Sequence, residues 1–200
     1  MPPKNKYTRE TVIATALQLV RGKGADALTA RALAAELGSS AKPIFGLFKN
    51  MEEVQKALLD AAAGEYAGYL RREVERGLYP TYKASGMAYI RFAKEERELF
   101  KLLFMRDRSE EEKVGGAETE PLLDLLQEKL GWDRQRVYIF HLETWIFVHG
   151  MASMIATEYL EWDTEFVSRA LTDCYMGLKK RFEEEIENEG HSDEVHHETV

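Results

Sequence analysis

The chain has 200 residues, with 27 Lys and Arg against 35 Asp and Glu, a formal net charge of −8. Taken whole, that balance speaks against a protein that simply coats nucleic acid. Its lone cysteine, Cys174, excludes an internal disulfide and leaves no thiolate cluster for zinc or iron–sulfur binding.

The distribution of charge differs from the total. Residues 1–50 hold eight basic and three acidic groups, a net of +5, so the remainder carries −13. A polyanion partner is therefore expected only at the N-terminal end. Met1 to Glu10 is polar, unlike a secretory signal. No run approaches the roughly 18 to 20 apolar residues that cross a bilayer, the window Trp145 to Ala156 being broken by His149, Gly150 and Ser153. A cytoplasmic location with no membrane partner is the expectation.

Leu, Ala and Glu supply 70 residues against 17 for Val and Ile, and no period-2 segment stands out, so the fold class is all-α with about nine helices. Thr8 caps a first helix through Val12, Ala16, Leu17 and Val20, stopped at Gly22 and Gly24. Thr29 caps a second, with Leu33 and Leu37 inward and Gly38 at its end. Ser40 caps a third, in which Ile44, Phe45 and Phe48 point inward. Asn50 with Glu53 resembles a capping box and opens a fourth helix to about Arg76. Residues from Thr81 to Met105 read as one long helix or two shorter ones, and Arg106 to Thr119 as an exposed loop. Pro121 opens a helix closed by Gly131. Asp133 and Thr164 cap two final helices, about 134–158 and 165–185, and residues 186–200 read as an acidic disordered tail.

The first 50 residues match the physical requirements of a helix-turn-helix: two short helices joined across Gly38 and preceded by a supporting helix. The small, exposed N-terminal face of Ser40, Ala41 and Lys42 allows a helix end into a major groove about 12 Å wide. A three-helix packing unit without DNA binding satisfies the same geometry.

The run from Leu28 to Ser40, followed by Ile44 to Val54, resembles the DNA-binding domain of the tetracycline-repressor (TetR) family of transcriptional regulators, in register from about Thr8 to Leu58. The resemblance implies a homodimer with a DNA-binding domain at 1–50 and an effector-binding and dimerisation domain at 51–185. It carries DNA contact over to Thr8, Thr29, Arg31, Ser39, Ser40, Ala41, Lys42, Phe45, Leu47 and Lys49. This chain departs from the family where Lys42 replaces the usual Gly, Phe45 the usual Tyr, Leu47 the usual His and Met51 the usual Lys. Phe45 and Met51 cannot make the phosphate contacts of the residues they replace, whereas Lys42 adds a charge at the tip of the recognition helix.

The segments Glu98 to Met105 and Trp145 to Ala152 resemble a large subgroup of those regulators with a Trp, His and Gly pattern in the penultimate helix, and Gly150 there implies a close helix crossing. A dimer interface is expected from Val137, His141, Thr144 and Val148 on one helix and Phe166, Ala170, Leu171, Cys174 and Leu178 on the next. Tyr82, Tyr89, Phe92, Phe100, Phe104, Met105, Trp145, His149 and Met154 are the candidate lining of a pocket for an apolar or aromatic effector, although each also reads as ordinary core.

Enzymatic readings fail on the residues. Glu194-Val195-His196-His197 is the sole Glu-x-x-His and lies in the polar tail; Cys174 has no basic neighbour before Lys179; Gly22-Lys23-Gly24 follows a helix, the wrong context for a phosphate loop. No catalytic residue, cofactor or metal is expected. Two functions stay open: a repressor released from a near-palindromic double-stranded operator by a small molecule, and a helical ligand-binding or interaction protein of the same fold with weakened DNA contacts.

Overall fold

Four helix starts are set by side chains that the sequence places one residue ahead of them. Thr8 accepts from the Thr11 amide (3.2 Å), Thr29 from Ala32 (3.1 Å), Asn50 from Glu53 (2.9 Å) and Asp133 from Arg136 (2.9 Å), each satisfying an amide that has no partner inside its helix. In the computed structural model, residues 7–107, 109 and 119–197 are described, with 190–197 as backbone only. Among them the chain is helical without a strand: α1 (Arg9–Lys23), a 3-10 turn (Ala25–Ala27), α2 (Ala30–Glu36), α3 (Lys42–Phe45), α4 (Met51–Glu75), α5 (Thr81–Glu95), α6 (Arg97–Phe104), α7 (Glu120–Leu130), α8 (Arg134–Ala156) and α9 (Thr164–His197).

Several expected details are corrected. Ser40 caps nothing; Ala41 precedes α3, without a side-chain bond, because the chain leaves the Gly38 turn (φ 60°) one residue later than expected. Phe45 points outward, while Ile44 and Phe48 are buried. Asp163, rather than Thr164, caps α9 by accepting from the Phe166 amide at 2.7 Å. That helix runs on to His197 where an end near 185 and a disordered tail were expected. Ion pairs one turn apart, Lys179–Glu183, Lys180–Glu184 and Arg181–Glu185, support its polar part, and Arg136 of α8 pairs with Glu189 at 2.5 Å. Most of the expected loop, residues 108 and 110–118, and the last residues of the tail, 198–200, lie outside the described residues.

Between Thr81 and Met105 the chain makes two helices, broken at Glu96 (φ −125°, ψ 50°). Buried residues of α1 to α4 (Val12, Leu33, Ile44, Phe48, Leu58) are continuous with those of α5, α6 and α8 (Phe92, Phe100, Ile155), so one core crosses the expected boundary near Asn50. A second, smaller core joins Leu123, Leu126, Val137, Phe140 and Phe182. At Gly86 an added Cβ would stand 3.2 Å from Leu171 Cδ1, so α5 closes on α9 there. Gly150 faces no such crossing: nothing lies within 4 Å of its virtual Cβ. Among the described residues only α8 is long and apolar enough to cross a membrane, and 44% of its most apolar window is buried among other helices.

Candidate functional site

The N-terminal head is clamped by residues that sequence inspection passed over. Tyr7 donates its hydroxyl to the Leu37 carbonyl (2.8 Å), tying the approach to α1 onto the end of α2. Arg9 donates to the Leu47 carbonyl (2.6 Å), pairs with Glu53 (2.8 Å) and lies 4.1 Å over the Phe48 ring. One guanidinium thereby fixes α1, the end of the α3 segment and the first turn of α4.

Around this clamp, Thr8, Thr29, Arg31, Ser40, Lys42, Phe45 and Lys49 are exposed, while Ser39, Ala41 and Leu47 are half-buried. Thr8 and Thr29 spend a hydroxyl lone pair on helix caps. Leu47 packs against the core, so what it offers a ligand is limited to one edge. Arg9, Arg21 and Lys23 are held by Glu53, Glu96 and Glu36, whereas Arg31, Lys42 and Lys49 make no ion pair within 4 Å among the described residues, Lys49 acting on Glu53 only at longer range. Three such cations on one small helical unit are a surface suited to phosphate.

The residues expected to line an effector pocket separate into groups. Tyr89, Phe100, Phe104, Trp145 and His149 come together between α5, α6 and α8. Tyr89 Oη and His149 Nδ1 lie 2.8 Å apart, Ser153 Oγ is 3.3 Å from His149 Nε2, and the imidazole is stacked between Trp145 (5.0 Å, 17°) and Phe100 (6.0 Å, 28°). Tyr66 of α4, missed in the sequence, joins Tyr89, Phe92 and Phe104 at 5.4–5.7 Å.

Three assignments are corrected. Tyr82 belongs to the second core, with its Oη 3.0 Å from His141 Nδ1 and its ring 6.0 Å from Tyr175. Met105 lies at the junction of the head with α6, and Met154 is exposed on α8. The two Tyr–His contacts fall in the same order along α5 and α8, so these helices run parallel.

Burial lowers the pKa of His141 below its ordinary value of 6.5. The unfolded chain then binds a proton that the folded chain resists, so this residue costs stability as pH falls through 6.5, and the loss levels off below the depressed folded value. Between pH 7.5 and 5.5 the melting temperature of the wild type is expected to fall further than that of His141→Asn, which keeps an acceptor for Tyr82. Parallel falls in calorimetry would refute this.

The expected dimer face on α8 is turned into the protomer. Val137 is fully buried in the second core, and His141, Thr144 and Val148 are buried within the protomer, as is Leu171 of α9. None is available to another molecule. The outward apolar side chains of α8 are Ile139, Ile146 (58% exposed), Phe147 and Met154. Beside Phe147 a groove of about 510 Å³ is lined on α9 by Phe166, Ala170, Cys174, Gly177 and Leu178, with Arg169 and Asp173 at its edge. Burial and then the Glu143 carboxylate push the Cys174 thiol pKa up, opposite to what a reactive thiolate needs.

Residues 82–174 match the family model described as tetracyclin repressor-like, C-terminal domain. That stretch is similar to a tetracyclin repressor-like C-terminal domain. It contains both Tyr–His contacts and reaches into the groove on α9, and its presence supports a TetR-like chain. A solved structure titled "Structure of a protein with unknown function from Rhodococcus sp. RHA1" shares the fold: it is 21% identical, with a TM-score of 0.59 over 90% of this chain and 96% of that one. No curated protein matches the chain.

Proposed function

We propose that the protein is a DNA-binding transcriptional regulator, a homodimeric repressor released from a near-palindromic operator by a small apolar or aromatic effector. The tetracyclin repressor-like domain points to a regulatory rather than an enzymatic role, and the Trp145, His149 and Gly150 pattern resembles that of the Trp-His-Gly subgroup. The observation that carries the reading is the set of exposed cations Arg31, Lys42 and Lys49 on a rigid head whose core is continuous with that domain. Two heads set about 34–36 Å apart by the dimer would read successive major grooves. An effector that binds better to a different head separation would lower operator affinity by its differential binding energy.

The half-buried Leu47 and the exposed Phe45 keep the second reading alive: a helical ligand-binding or interaction protein with weakened DNA contacts. A salt titration of binding to fragments of the gene's own upstream DNA separates them. Several phosphate contacts give a steep linear fall of log affinity with log salt, and a flat line would favour the second reading. Lys42→Ala is expected to cost about 1–3 kcal/mol and relax sequence preference if the ammonium reads a guanine edge, whereas Arg31→Ala should weaken all sequences alike and reduce the salt slope by about one. Equal affinity of both variants and the wild type would overturn the assignment.

A further inference from the structure

Phe45 is the only large apolar side chain exposed among the described residues of the head, at 46%. The residues around it hold the segment in place. Ile44 (0%) and Phe48 (2%) anchor it in the core, and Arg9 covers the Phe48 ring and bonds the Leu47 carbonyl. Successive helical residues point about 100° apart, so burying Ile44 turns Phe45 outward.

A lone exposed aromatic is ordinary; what singles this one out is its position. Phe45 and Lys42 stand at i+3 and i of α3, on one face of the helix. Backbone bonds from the Phe45 amide to the Ala41 carbonyl (3.3 Å) and from the Gly46 amide to the Lys42 carbonyl (3.0 Å) close that turn. The ring and the ammonium are therefore presented together, on the same small unit as the exposed Arg31 of α2.

A duplex laid on this face offers a phenyl ring few partners. Phosphates and the polar atoms of the base edges need a donor or an acceptor, and the ring has neither. Against a phosphate it would only strip water from an anion that it cannot bond. The major-groove edges of the four bases carry one apolar group, the C5-methyl of thymine. We infer that Phe45 is a specificity-determining residue that reads a thymine methyl, so that the replacement of Tyr that removes a phosphate contact supplies a base contact in its place. This rests on the regulator reading and deepens it, naming a feature of the DNA that the head selects. Lys42 and Phe45 are separated by about 4.5 Å along the helix, and successive bases by about 3.4 Å. The thymine therefore lies within about two base steps of the pair that faces Lys42.

The test uses the full chain to enrich duplexes from a random library. The enriched site is then resynthesised with deoxyuridine in place of each thymidine in turn, which deletes the methyl and keeps the pairing edge. One position in each half-site is expected to lose about fourfold in affinity, the size expected for returning one methyl-sized apolar group to water. Phe45→Ala should bind the thymidine and deoxyuridine duplexes alike at that position, and Phe45→Leu should keep part of the preference. Because the ring is exposed, both variants should melt close to the wild type, which checks the fold. Affinity that responds to deoxyuridine at no position, or a response undiminished in Phe45→Ala, would overturn the inference and leave DNA binding standing. Failure to enrich any duplex would remove the regulator reading, and this inference with it.

Discussion

Replacing Ile146 and Phe147 together by Glu is expected to yield a monomer and to lower operator affinity by about 100-fold or more. Both side chains point away from the protomer, Ile146 at 58% and Phe147 at 39% exposure, and Phe147 borders the apolar groove on α9. In an isolated protomer the change touches no core residue, so stability should move by only about 0.5 kcal/mol. In a dimer built on this face, the same carboxylates would be buried without partners, a strongly unfavourable arrangement. Two linked heads gain about 10² to 10⁴ over one through effective concentration, and a monomer forfeits that gain even with every DNA-contacting side chain intact. Light scattering after size exclusion gives the mass, and a titration with operator DNA gives the affinity. A variant that still has the wild-type mass would show that the α8–α9 face is not where two copies meet. Val148→Glu is the informative contrast: it buries a charge inside the protomer, and loss of folding rather than clean dissociation is expected.

That contrast shows where the sequence was legible and where it was not. Caps at Thr8, Thr29, Asn50 and Asp133, and stops at Gly24 and Gly131, are local chemistry; the structure places each as read. The face of α8 is not local. Val137 and Val148 are as apolar as Ile146 and Phe147, so periodicity identifies a helix with more than one apolar side but not which side meets its own chain. Tyr66 escaped notice because it stands beside Tyr69 in a stretch rich in Ala and Gly; the approach of α5 and α6 brings Tyr89, Phe92 and Phe104 to it.

Glu73 escaped for a related reason. Within Arg71-Arg72-Glu73-Val74-Glu75-Arg76 it reads as a solvated charge, yet it is 2% exposed, with Arg91 of α5 at 3.3 Å and Arg76 at 3.2 Å. Its burial is a property of the α4–α5 contact. The cation surface of the head was visible as a sign change in charge near Asn50. Which of those cations are already held by acids needed Glu36, Glu53 and Glu96 to be placed in space.

Phe100→Ala is expected to destabilise the protein by about 3–5 kcal/mol, lowering the melting temperature by about 6–20 °C for a chain of this size. Phe100 is fully buried and packs against Tyr89 (5.2 Å), Phe104 (5.2 Å) and His149 (6.0 Å), so truncation leaves a ring-sized void that these neighbours fill only in part. Phe104→Ala, at a half-buried position, should cost less. If the void stays open, benzene should restore part of the lost melting temperature, as apolar cavities of this kind stay dry and accept apolar guests. The consequence extends beyond stability because α6 has two working faces. Phe100 and Leu99 face the core, while Glu96, just ahead of the helix, holds Arg21 of α1, and Glu98 stands beside Gly24. Loosening the inner face therefore loosens the seat of the head, and operator affinity should fall in Phe100→Ala although no DNA-facing residue has changed. Recovery of affinity with benzene, in parallel with the melting temperature, would identify α6 as the element through which the aromatic cluster acts on the head. Recovery of stability alone would place that coupling elsewhere.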